Sequence, residues 1–204
     1  MNPGLTAPTP GAGRGRACGP AWALFVAMLL GLLLPRAPQA AETDEMRVQA
    51  AYVLNFIRYS RWPAGDGEPI VIAVLGTAQN AAALRDLATR AGAINGRRVV
   101  VRLLPLSSVA PAQAPAVQAL TTATADAHIL FVGSSHSGWS RPAAQATSGR
   151  PVLTVGPGRT FVDAGGMFGL FLEQGHVRFA VNAPAIRGSG IDVSARLLAL
   201  ARGH

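Results

Sequence analysis

Pro69-Ile70-Val71-Ile72-Ala73-Val74-Leu75 is an unbroken apolar run that leads straight into Gly76-Thr77. A strand with one wet face alternates apolar and polar residues. A run with no polar position is that of a strand covered on both faces, as in a parallel sheet with helices on each side. Thr77 is suited to cap the next helix, whose apolar face is Ala81, Leu84, Ala88 and Ala91, and Gly92 ends it. Asn95-Gly96 then signals a turn into a second strand, Val99 to Leu104.

The same alternation extends in both directions. Upstream, Met46, Ala50, Val53, Leu54 and Ile57 recur at helical spacing within a helix predicted over 42–62, which stops at Trp62-Pro63. Downstream, His128 to Val132 is a third strand, Pro142 suits the first turn of a short helix, and Val152 to Val155 is a fourth strand. Residues 105–125 are rich in Ala, Pro and Thr and read either as a helix over about 112–122 or as an irregular lid. Met167 to Asn182 holds two strands around Gln174-Gly175 with no room for a helix between them, which predicts a β-hairpin. In that register Leu172 faces Val177, Leu170 faces Phe179 and Phe168 faces Val181, while Phe171, Glu173, His176, Arg178 and Asn182 share the other face. A last helix is predicted over 194–202. The expected fold class is α/β: one three-layer domain over 42–204, with a mainly parallel sheet and a C-terminal antiparallel β-hairpin.

Residues 1–41 read as an export signal rather than as part of that fold. Arg14 and Arg16 precede an apolar run from Ala21 to Leu34, shorter than the roughly 20 residues a spanning helix needs, and Pro35 to Ala41 supplies a helix breaker and small residues. Cleavage is expected near Ala40; the competing reading is an uncleaved anchor. Cys18 precedes the apolar run, so it is not placed as a lipid acceptor, and no thiol remains after cleavage. The exported domain would rely on its core rather than on disulfides. Loss of Arg14, Arg16 and Arg36 leaves 15 arginines against 10 acidic residues, a net charge of +5, with no lysine and no basic run interleaved with aromatics. That argues against a nucleic-acid partner.

The constellations that suggest chemistry each fall short. Gly133-Ser134-Ser135-His136-Ser137-Gly138 follows the third strand, but its second glycine is one position too late for a nucleophile elbow and no acid partner is evident. Gly156-Pro157-Gly158-Arg159-Thr160 would cradle an anion only weakly, because Pro157 has no N–H and a tight turn accounts for both glycines. His128, His136, His176 and His204 lack metal-ligand spacing. No cofactor is expected, and no catalytic or metal residue is assigned.

Two surfaces suit binding better. Tyr52, Phe56, Tyr59 and Trp62 form an aromatic stripe with Arg58 and Arg61 beside it, a composition favoured at interface hot spots; the competing reading is a helix buried on two sides. Asn55, Glu173, Arg178 and Asn182 are the candidate groups for a small ligand, against a simply solvated sheet face.

Ala51-Tyr52-Val53-Leu54-Asn55-Phe56 leading to Trp62-Pro63, Gly165-Gly166-Met167-Phe168-Gly169 leading to Val177-Arg178-Phe179 and Asn182, and Ser194-Ala195-Arg196-Leu197-Leu198 together resemble the YfiR-like periplasmic regulators. The resemblance implies a non-enzymatic periplasmic protein that binds the sensor region of an inner-membrane diguanylate cyclase, or of another membrane sensor protein, and lowers cyclic di-GMP and biofilm output. It further implies a homodimer, and an outer-membrane lipoprotein that sequesters the regulator. Some members of that family carry disulfides; this chain departs from them, which removes the basis for redox control here. The alternative function is a periplasmic small-molecule-binding sensor domain feeding a membrane signalling protein.

Overall fold

The computed structural model describes residues 37–63, 67–105, 110–112 and 115–201. In chain order the elements are α1 (Ala37–Arg58), β1 (Ser60–Arg61), β2 (Ile70–Leu75), α2 (Ala78–Ala91), β3 (Val99–Leu103), α3 (Pro115–Ala123), β4 (Ile129–Val132), a 3-10 helix (Ser134–Trp139), α4 (Ser140–Thr147), β5 (Leu153–Pro157), α5 (Gly158–Asp163), β6 (Phe168–Glu173), β7 (His176–Val181), α6 (Ala183–Ser189), β8 (Asp192–Val193) and α7 (Ala195–Leu198). Apart from Ala37 to Ala41, at the start of α1, the expected export signal lies outside the described residues. Residues from Gln39 onward form one compact unit.

Six strands make one sheet in the order β3-β2-β4-β5-β6-β7, parallel except for the antiparallel β6–β7 pair. The α/β fold class expected from the sequence is therefore present. Alternation along each strand divides the core between the two faces. Ile72, Val74, Ile129, Phe131, Leu153 and Val155 join α1 and α2 in one apolar cluster; Ala73, Leu75, Leu130 and Val132 join α3, α4 and Phe161 in the other. The hairpin register is the one read from the sequence, with Leu172 opposite Val177 and Phe168 opposite Val181 around Gln174 and Gly175, both at positive φ. Its apolar face is not wholly buried: Leu172, next to the turn, is 54 % exposed.

Thr77 caps α2 as expected, and Asn80 completes a capping box. The uncertain stretch resolves in part into α3, which starts at Pro115, where a missing N–H costs nothing. Three boundaries differ from expectation. α1 begins at Ala37, not at Glu42. α1 ends at Arg58, not at Trp62, because Ser60 and Arg61 pair antiparallel with Val193 and Asp192, and the Tyr59 carbonyl accepts from Ser194 N–H. The last helix is only Ala195–Leu198; beyond it Leu200 and Ala201 donate three residues back, tightening the chain into turns.

The Gly-Gly-Met-Phe-Gly segment has a steric reason for its glycines. The Phe161 ring lies between Gly156 and Gly166, and a Cβ on either would come within 2.2 Å of it. A Cβ on Gly169 would stand 2.1 Å from the Gly158 carbonyl oxygen, which is backbone and does not yield. Gly169→Ala is therefore expected to lower the urea midpoint of unfolding far more than Gly175→Ala. The latter meets nothing within 4 Å and bears only the positive-φ cost, about 1 kcal/mol.

Candidate functional site

Open parallel sheets bind ligands outside the carboxyl ends of the strands, where the chain order reverses. Here that switch lies between β2 and β4. The crevice is filled from within: the Asn80 side chain, 8 % exposed, lies so close to Gly76 and Gly133 that a Cβ on either would meet its Oδ1 at 2.8 Å. Asn80 Oδ1 accepts from Thr77 N–H and Oγ1, both at 2.9 Å, so the plug is held by the α2 cap. On the next loop, Ser135 Oγ lies 3.0 Å from His136 Nδ1, both at the surface, and no carboxylate contacts that imidazole among the described residues. The Gly158 loop has no phosphate-binding character, because α5 is a six-residue helix and Arg159 turns to the hairpin, 4.2 Å over the Phe171 ring and 3.9 Å from Glu173.

The aromatic stripe on α1 divides. Phe56 is fully buried, stacked on Phe168 at 4.3 Å and edge-on to Phe179 at 5.3 Å. Tyr52 is half-buried and donates its hydroxyl to the Val177 carbonyl at 2.8 Å. For these two, the helix buried on two sides describes the structure, because the hairpin closes over α1. Tyr59 is exposed, and with Arg58, Arg61, Asp192 and Ser194 it borders a cavity of about 370 Å³. Trp62 is half-buried; its indole N–H donates to the His128 carbonyl at 3.2 Å, and its ring meets the His128 ring edge-on at 5.7 Å.

The four candidate ligand groups do not converge. Asn55 lies on α1, whose Tyr52 and Phe56 pack on the hairpin face that carries Phe168 and Phe179, and accepts from Arg58 at 2.9 Å. Glu173, Arg178 and Asn182 belong by alternation to the opposite face of the hairpin. Asn182 Oδ1 is committed to capping α6 through Ala185 N–H at 3.0 Å.

A cluster missed at the sequence level joins the strand starts. Arg97, 8 % exposed, donates its Nε–H to the Glu68 carbonyl and places its terminal nitrogen 2.8 Å from His128 Nε2. His128 Nδ1 faces Val71 N–H at 3.3 Å. A neutral imidazole accepts at one nitrogen only, and the shorter contact with the guanidinium takes precedence. Burial, and then the Arg97 charge, hold the His128 imidazole below its usual pKa, outweighing the pull of Glu68 and Asp126. The only sequence signal was a histidine opening a buried strand.

The arrangement defines a class: an α/β domain whose sheet crevice is plugged and whose first helix ends at exposed Arg58, followed by exposed Tyr59 and Arg61. Among the described residues no group of three potential metal ligands occurs, and no helix is long and apolar enough to cross a membrane. The profile of the YfiR/HmsC-like family matches residues 46–202, and the chain belongs to that family. Comparison with curated proteins gives no match.

The depressed His128 pKa carries a sign for stability. As pH falls, the unfolded chain takes up this proton first, near pH 6.5, so the contribution is fully present above that value and is lost between it and the lower folded-state pKa. Chemical unfolding from pH 8 to pH 5 is expected to show stability declining below about 6.5, and His128→Gln is expected to flatten that decline.

Proposed function

We propose that this protein is exported to the periplasm and restrains an inner-membrane diguanylate cyclase by binding its periplasmic sensor region, so lowering cyclic di-GMP and biofilm output. The observation that carries this reading is the family match over residues 46–202, which spans nearly the whole described fold. A regulatory role agrees with the plugged crevice; among the described residues no carboxylate contacts His136. The docking surface in this reading is the end of α1, where exposed Tyr59 stands beside Arg58 and Arg61. Aromatic–arginine clusters of this kind dominate interface energies. Tyr52 and Phe56 support that end of the helix from behind, and Trp62 fixes its exit. The regulator acts as a homodimer, and an outer-membrane lipoprotein relieves repression by sequestering it. The sensor alternative built on Asn55, Glu173, Arg178 and Asn182 has less support, since it draws on both faces of the hairpin.

The test is capture from detergent-solubilised envelope, using C-terminally tagged protein expressed from the full 204-residue chain. Recovery of an inner-membrane cyclase, with a recovery at least tenfold lower for Tyr59→Ala at unchanged melting temperature, is the expected result. Capture of no membrane protein, together with unchanged cyclic di-GMP on gene deletion, would overturn the proposal. Sedimentation equilibrium is expected to give twice the protomer mass.

A further inference from the structure

Beside the proposed docking surface, on the side facing the Asn95-Gly96 turn, lies a second cavity of about 510 Å³. Its polar wall is Arg58, Ser60, Arg61, Asn95 and Arg97, and among the described residues no acidic side chain lines it. Three features of that wall point the same way.

Arg97 is a buried cation with no carboxylate within ion-pair distance among the described residues. Its partners, the Glu68 carbonyl and the His128 imidazole, are both uncharged, the imidazole being held neutral first by burial and then by the guanidinium beside it. Burying a charge is costly unless an opposite charge or a full set of hydrogen bonds offsets it. Arg58 and Arg61 are likewise free of carboxylates: among the described residues no Asp or Glu lies within ion-pair distance of either, and the only side-chain bond of Arg58 is to Asn55. The Ser60 residue is 3 % exposed, and its hydroxyl oxygen has no hydrogen-bond partner. Buried hydroxyls are nearly always paired, and an unpaired one calls for an explanation.

Asn95 removes the obvious objection. The last carbonyls of a helix are acceptors and carry the negative end of its dipole, which would repel an anion. Asn95 Nδ2 donates to the Ile57 and Arg58 carbonyls at 3.2 and 3.4 Å, so these acceptors are already engaged. What lines the cavity is then three arginines and Ser60, whose buried hydroxyl has no internal partner.

We propose that this cavity binds a small multivalent oxyanion, either a phosphate ester or a polycarboxylate, on Arg58, Arg61 and Arg97 with the Ser60 hydroxyl donating to it. Guanidinium pairs suit such ligands because each offers a planar fork of donors to two oxygens. Ile57, Trp62, Ile70 and Ile94 close the remaining wall. The site does not depend on the cyclase reading, and either can fail with the other intact.

The test is calorimetric titration of protein expressed from the full chain, in chloride buffer, with inorganic phosphate and separately with citrate. Saturable one-to-one binding of at least one probe is expected. Binding of phosphate alone identifies a phosphoryl ligand and binding of citrate alone a polycarboxylate; either supports the site. The double variant Arg58→Gln/Arg61→Gln, altered only at exposed positions, is expected to weaken binding at least tenfold. Arg85→Gln/Arg141→Gln removes the same charge from exposed positions elsewhere and is expected to bind as the parent does. Ser60→Ala is expected to weaken binding without lowering the melting temperature, since its hydroxyl makes no internal bond. Absence of saturable binding by both probes, or equal weakening in the two double variants, would overturn the proposal.

Discussion

The contact on which the rest of the structure depends is the packing of α1 against the hairpin. Phe56 stacks on Phe168 and meets Phe179 edge-on, Tyr52 meets Phe179 edge-on at 5.9 Å, and the Tyr52 hydroxyl closes on the Val177 carbonyl. Offset and edge-on aromatic pairs contribute about 0.5–1.5 kcal/mol each beyond the area they bury. Here they join residues more than a hundred positions apart, so the first helix closes on the last two strands of the sheet. The two-residue β1–β8 pair adds a backbone tie at the same end. With α1 fixed in this way, Tyr59, Arg58 and Arg61 are presented at a defined place.

The same contact explains which features were legible in the sequence. The hairpin register followed from period-two alternation about Gln174-Gly175, because a slip of one residue would have turned Phe168, Leu170 and Phe179 outward. The buried strand β2 was equally clear, having no polar position. The aromatic stripe was ambiguous because helical spacing gives a direction and not what lies there; only the hairpin packing shows that Phe56 faces the core. β1 and β8 were invisible, since two residues carry no period and their pairing is made by tertiary structure alone. Of the site, the arginines at the end of α1 were legible, whereas Arg97 was not: from sequence it is one arginine after a turn, and its burial depends on Glu68 and His128, which are distant along the chain.

Asn80 decides which end of the sheet is available. Its side chain fills the space between Gly76 and Gly133, where a parallel sheet would otherwise receive a ligand, and the capping box that holds it makes the filling part of α2 itself. A cofactor entering there would have to displace a buried amide and uncap a helix. The amino ends of the strands are different. There the chain leaves α1 through Ser60 and Arg61, the Asn95-Gly96 turn comes alongside, and Arg97 reaches under it toward His128.

That end is held by polar contacts to backbone rather than by apolar packing alone. Trp62 donates to the His128 carbonyl, Asn95 to the end of α1, and Arg97 to the Glu68 carbonyl. Each bond spans separate segments, so a shift in one is felt by the others. A net contribution of about 1 kcal/mol per bond makes such a network firm enough to position charge and weak enough to respond to it. A charged group arriving at Arg97 would therefore act on the exit of α1 through Arg97, His128 and Trp62, without any change in the sheet.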